Sequence, residues 1–162
     1  MLTCIQLPGQ SNVISLLRAI RRPFTHLFSL NPADPAAQSI CRVTADDNGF
    51  PCRISLDHTA VGETLLLLNY MHQPAESLHR ASGPIYIREN VHTTFDRIDE
   101  VSPPLQKRTL SLRADDKQHM AVDAEVCDGS DFATLTARFF ERADAMYLHA
   151  HYAKRGCFTC RA

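Results

Sequence analysis

A chain of 162 residues, 44% hydrophobic and 22% charged, has the size and composition of one globular domain with a real core. A formal net charge of -1 excludes the basic footprint of a nucleic-acid-binding domain, and no apolar run approaches the ~20 residues of a membrane span. Six cysteines (Cys4, Cys41, Cys52, Cys127, Cys157 and Cys160) in a chain of this length without a secretory signal read as the reduced thiols of a cytoplasmic protein.

In chain order, residues 1–23 stand apart. They carry Arg18, Arg21 and Arg22, and no acidic residue precedes Asp34. Val13, Leu16, Leu17 and Ile20 follow helical spacing, which predicts a basic amphipathic helix over residues 11–22. Three readings stay open: a transit peptide, a membrane-surface anchor, or a loosely docked terminal helix. The Asn31-Pro32 and Asp34-Pro35 pairs favour turns, so residues 24–39 are expected to be irregular or weakly helical.

From Cys41 onward the pattern is mainly β. Strands are expected at residues 41–45 and 52–56, with Asp46-Asp-Asn-Gly49 as a turn between them. The apolar run at residues 64–71 has strand length and reads as a central strand. Residues 84–89 alternate, residues 91–106 read as a connection interrupted by Pro103-Pro104, and residues 108–114 and 120–127 form a strand pair. In that pair Leu110 and Leu112 point inward, with Thr109, Ser111 and Arg113 outward. One helix, residues 132–145, is expected to follow a cap among Asp128, Ser130 and Asp131, with Phe132, Leu135, Phe139 and Phe140 as its core stripe. The fold class is α+β, a single domain with a predominantly antiparallel sheet.

The tail, residues 146–160, concentrates the chemistry. If residues 147–151 form a strand and Gly156 ends a hairpin connection, His149 and His151 share a face with Tyr147, opposite Leu148 and Ala150. Simple alternation on the return strand groups Phe158 with Cys160, and if Phe158 packs on the core beside Leu148, Cys157 joins the two imidazoles. His149, His151 and Cys157 are therefore the candidate catalytic residues, and they admit several chemistries. As metal ligands they would offer two nitrogens, one thiolate and one open position, suited to a zinc or iron ion. Without metal, Cys157 is a nucleophile with His149 or His151 as base. A dithiol pair in Cys157-Phe-Thr-Cys160 lacks the helix N-terminus that usually activates such motifs. The plain alternative is a non-catalytic protein in which half-buried histidines and an inert thiol satisfy their surroundings. Candidate ligand-binding groups are Cys52, Arg53, His72, Arg80, Ser82, Arg88 and Arg113, whose guanidinium forks suit a small anionic ligand.

Gly49-Phe-Pro-Cys-Arg53, Asn69-Tyr-Met-His-Gln-Pro74, the stretch from Arg80 to Glu89, Arg108-Thr-Leu-Ser-Leu-Arg-Ala114 and the stretch from His149 to Phe158 resemble, in order, the signatures of the bacterial domain of unknown function 1203. The resemblance runs from about Phe24 to the end of the chain. It implies a single domain at residues 24–162 in which these motifs belong together, preceded by an extension at residues 1–23, and it brings no established activity. Ser77-Leu-His-Arg80 departs from the Ser-Pro-Tyr-Arg of that pattern, so Arg80 carries over and His79 does not. Cys160 lies outside the pattern.

Overall fold

The alternation expected at residues 108–127 is realised as an antiparallel hairpin that anchors the larger of two sheets. The computed structural model describes residues 16–21, 24–31, 33, 37 and 39–162. Strand β6, Thr109–Asp115, pairs with β7, Ala121–Asp128, in the register Leu110–Cys127 and Leu112–Glu125. Asp116 closes the turn, its carboxylate accepting from the backbone N–H groups of Gln118 and Met120. Leu110 and Leu112 are fully buried, as their spacing predicts.

Six strands make up this sheet, in the order β5-β1-β9-β8-β6-β7. β8 is Tyr147–Tyr152 and β9 is Phe158–Arg161. β1, Leu16–Arg18, runs between β9 and β5, Asp96–Ile98. Most of the amphipathic segment expected to be helical lies outside the described residues. Its described part is a strand, because backbone pairing with β5 and burial of Leu17, Ala19 and Ile20 outweigh a weak local preference.

The smaller sheet has the order β2-β3-β4: Ile40–Thr44, Thr64–Gln73 and Ala81–Arg88. The apolar run is its middle strand, as expected. Leu66 and Leu68 of β3 pack with Ile85 and Ile87 of β4 into one core cluster, while Leu67 pairs with Tyr86 on the opposite face.

Residues 52–56 do not form a strand. A bridge between Pro51 and His58 folds this stretch back on itself, with Leu56 in the left-handed region at φ 55°. Cys52 and Ile54 join the core as loop anchors, and Cys52 keeps a single parallel bridge to Tyr86. Residues 91–106 likewise hold more structure than expected, namely β5 and one helical turn, α1, Pro103–Gln106. Its two prolines open that turn rather than forbid it, because first-turn N–H groups need no intrahelical partner.

Helix α2, Phe132–Phe140, buries Phe132, Leu135 and Phe139 against one face of the large sheet. It stops five residues short of the expected end, where the chain turns at an Arg142–Asp144 ion pair and Met146 N donates to the Asp115 carbonyl. No side chain caps its start; a 3₁₀ turn at Gly129–Asp131 leads in instead. Gly129 permits that approach, since a Cβ there would stand 1.8 Å from the Leu105 carbonyl oxygen. Among the described residues no helix is long and apolar enough to cross a membrane.

Candidate functional site

All six residues of β8 are buried, yet its two faces differ in kind. Leu148 and Ala150 pack with Leu112 and α2 in one core cluster. His149 and His151 point the other way, toward β3, as strand alternation requires. The return strand breaks simple alternation. Ala150 pairs with Cys160 but His151 pairs with Phe158, so one extra residue, Thr159, sits in a bulge and donates its hydroxyl to the Ala150 carbonyl at 2.6 Å. The bulge keeps Cys160 on the Leu148 face and turns Phe158 onto the histidine face.

That turn decides which tail residues meet. Phe158 stacks on His72 at 4.8 Å between ring centroids, and His72 lies 5.2 Å from His151 and 5.9 Å from His149. His72 Nε2 and His151 Nε2 stand 3.4 Å apart. The third member of the cluster is thus an imidazole from β3, and not the thiol of Cys157. Among the described residues, no three or more His, Cys, Asp or Glu side chains already stand arranged to hold a metal ion.

The cluster is electrically unusual. Burial, reinforced by the neighbouring His72, Arg113 and Arg161, pushes both His149 and His151 down to about 3, and burial lowers His72 as well. All three rings are neutral at pH 7. Asp115 Oδ2 lies 3.7 Å from His149 Nδ1, too far for a hydrogen bond, and with the ring neutral the two form no ion pair. Burial in turn raises the Asp115 carboxyl. Gln73 donates to the Tyr147 hydroxyl at 2.6 Å, and His119 Nδ1 contacts the same oxygen at 2.8 Å. His72, His149, Tyr147 and Arg161 open onto a cavity of about 560 Å³.

Cys157 lines a different cavity, about 660 Å³, against the Leu67–Tyr86 face of the small sheet. Four cations line it with Cys157: Arg53, Arg108, Lys154 and Arg155. No carboxylate and no imidazole is among its described lining residues. Arg53 is 2% exposed, donating through Nε to the Phe158 carbonyl at 2.6 Å and through Nη1 to the Pro51 carbonyl at 2.8 Å. Burial pulls its pKa down from the ordinary guanidinium value. Arg53 and Arg108 both lie over the Tyr152 ring, at 4.9 and 4.7 Å from its centroid.

The remaining candidates scatter. Cys52 backs onto the small-sheet core, adjacent to Arg53. Arg113 is exposed on β6, opposite His149, and acts on the histidines through its charge. Arg80 is exposed and contacts the Met71 sulfur at 3.6 Å, and Ser82 is exposed on β4. Arg88 pairs with Glu63 at 3.6 Å beside a smaller cavity. Arg108, Lys154, Arg155, Tyr86 and Tyr152 complete the cationic cavity without being candidates from the sequence. The sign available for them was their place inside the family-like motifs: Arg108 opens one, and Lys154 and Arg155 sit within another.

Comparison with known proteins adds a family and no activity. No curated protein and no solved structure matches the chain. The match to a family model covers residues 49–162, which takes in β3, β4, the whole lining of the cationic cavity, the three clustered histidines and the whole tail. The chain belongs to the family described as protein of unknown function, DUF1203.

Proposed function

We propose that the protein binds a small anionic molecule in the cavity lined by Arg53, Arg108, Lys154 and Arg155. The observation that carries this reading is the charge balance of the lining, with four cations and no carboxylate around about 660 Å³. That volume suits a small-molecule ligand, for which pockets typically span about 300–1,000 Å³. Leu67, Pro84, Tyr86 and Tyr152 supply the apolar wall, and the guanidinium groups supply forked donors. Arg53 is held by two backbone carbonyls, so it presents its charge at a fixed place. Lys154 and Arg155 are exposed and stand at the rim, where they would draw an anion in.

Binding is favoured over nucleophilic catalysis at this cavity, because Cys157 has no imidazole beside it to act as base. The five described cysteines are free, which fits a reducing, cytoplasmic setting.

The test is a thermal-shift and calorimetry series with inorganic pyrophosphate, citrate and a nucleoside monophosphate, with the neutral nucleoside as control. At least one anion should raise Tm and bind at a single site. Loss of one charged contact, in Arg108→Ala or Arg155→Ala, should weaken that binding about 10–100-fold, the equivalent of a charge-assisted hydrogen bond. Anions that bind the parent and a variant carrying both Arg108→Ala and Arg155→Ala equally well would overturn the reading.

A further inference from the structure

Cys157 is the only cysteine among the described residues that line the cationic cavity, and binding an anion there makes no use of its thiol. The side chain is half-buried, and its sulfur makes one weak contact, to the Arg155 carbonyl at 3.8 Å. A thiol alone names no partner. The second observation is Arg53, which is 2% exposed and has Nε and Nη1 taken by backbone carbonyls. Its Nη2 donates to no described group, yet it is not among the atoms sealed from solvent, so it opens onto the cavity that Arg53 lines. A buried cation with an unpaired donor gains much from an anionic group, because leaving that donor unmatched is costly. Arg108 lies over the Tyr152 ring together with Arg53, and Arg155, two residues before Cys157, stands exposed at the rim.

Thiol and cations together select a molecule that carries both an anionic group and an exchangeable sulfur. We propose that Cys157 is a modification site for small anionic disulfides, whose captured half fills the cationic cavity and blocks anion binding there. This rests on the anion-binding reading of the cavity and adds its regulation. In the step, the Cys157 thiolate attacks one sulfur of R–S–S–R. A new Sγ–S bond forms as the old S–S bond breaks, and RS⁻ leaves with the electron pair and takes a proton from water. Cys157 is oxidised, and the departing thiol is the reduced product. Exchange draws on thiolate present at ambient pH, so it needs no imidazole beside the sulfur. The cavity of about 660 Å³ has room for a peptide-sized adduct. Neither neighbouring thiol can resolve that adduct. Cys160 is fully buried on the Leu148 face across the bulge, and Cys52 is fully buried in the small-sheet core. The mixed disulfide therefore persists until an outside thiol removes it, a reversible cap suited to a regulatory thiol.

The experiment treats the full-length protein at pH 8 with oxidised glutathione, hydroxyethyl disulfide or cystamine, which carry negative, no and positive charge. Rates at Cys157 are read by peptide mass mapping and divided by those of the urea-unfolded chain, which removes the intrinsic reactivity of each disulfide. The folded protein should favour oxidised glutathione over cystamine by about 10-fold or more, the scale of steering into a charged cleft, and salt should erode that preference. Arg155→Glu, at an exposed position, should shrink it by about threefold or more. Protein carrying the glutathione adduct should bind pyrophosphate or citrate about 10-fold more weakly, and dithiothreitol should restore the affinity. Equal corrected rates for the three disulfides would overturn the exchange while anion binding, measured on unmodified protein, still stood. Unchanged anion affinity in the adduct, or a Cys157–Cys160 disulfide forming in its place, would overturn it as well. Absence of anion binding in unmodified protein strikes the cavity reading itself, and this inference with it.

Discussion

Cys160 and Cys157 are three residues apart in sequence and inhabit opposite environments. Cys160 is fully buried among Leu17, Leu112 and Leu148, and burial pushes its thiol up to about 12. Cys157 is only half-buried, in the lining of the cationic cavity. Alkylation of the native protein at pH 8, read by peptide mass mapping, should therefore label Cys157 well before Cys160 or the fully buried Cys52, since the thiolate is the nucleophile and access gates it. Equal labelling of Cys160 and Cys157 in the native state would contradict the bulged register of β9. Glycine offers a second residue-level test. Gly129→Ala drives a Cβ into the backbone of Leu105 and Arg108 and should destabilise the fold by roughly 3 kcal/mol. At Gly83, nothing lies within 4 Å of an added Cβ, so Gly83→Ala should stay within about 1 kcal/mol of the parent. Urea midpoints of the two variants make the comparison.

Strand β8 is the element on which the charge argument turns. It carries two neutral histidines among groups from every neighbour: His72 from β3, Asp115 and Arg113 from β6, Arg161 from β9, and His119 from the β6–β7 turn. The folded value of about 3 lies below the unfolded imidazole value of about 6.5. Between those limits the unfolded chain binds more protons, so stability is fully present above the upper limit and is lost as pH falls through the window. The slope inside it approaches about 1.4 kcal/mol per pH unit for each histidine. The urea midpoint should therefore drop clearly between pH 7 and pH 5. An unchanged midpoint would show that the rings are solvated. The elements themselves were legible to unequal degrees. β3, β4, β6, β7 and β8 follow directly from alternation or an unbroken apolar run. Residues 52–56 alternate as a strand would, yet they fold back, because the bridge from Pro51 to His58 depends on partners far along the chain. The short strand β1 could not be told from a helix by the spacing of four apolar residues, since pairing with β5 and β9 supplies the deciding energy.

Across the whole molecule, strand alternation grouped His149 and His151 with Cys157, whereas the structure sets His72 beside the two histidines and Cys157 in the other cavity. The histidine face of β8 was legible because period two leaves no choice. The exchange of Cys157 for His72 was not, since a bulge in a four-residue strand has no local signature here and the contact between β3 and β8 spans 79 residues. The two cavities are linked through one residue, Phe158, whose carbonyl holds Arg53 and whose ring lies on His72. Phe158→Ala removes the ring that lies on His72 but keeps the carbonyl that holds Arg53, so anion affinity in a calorimetric titration should change less than in Arg108→Ala. An equal or greater loss of anion affinity in Phe158→Ala would show that the ring, and not only the carbonyl, sets the position of Arg53. The single inserted residue, Thr159, has a wider consequence. Without it, plain alternation back from Cys160 would put Phe158 on the Leu148 face and leave the small-sheet core without that ring. The bulge thus lets one four-residue strand feed two cores, Cys160 packing with Leu112 and Leu148 and Phe158 with the small-sheet residues.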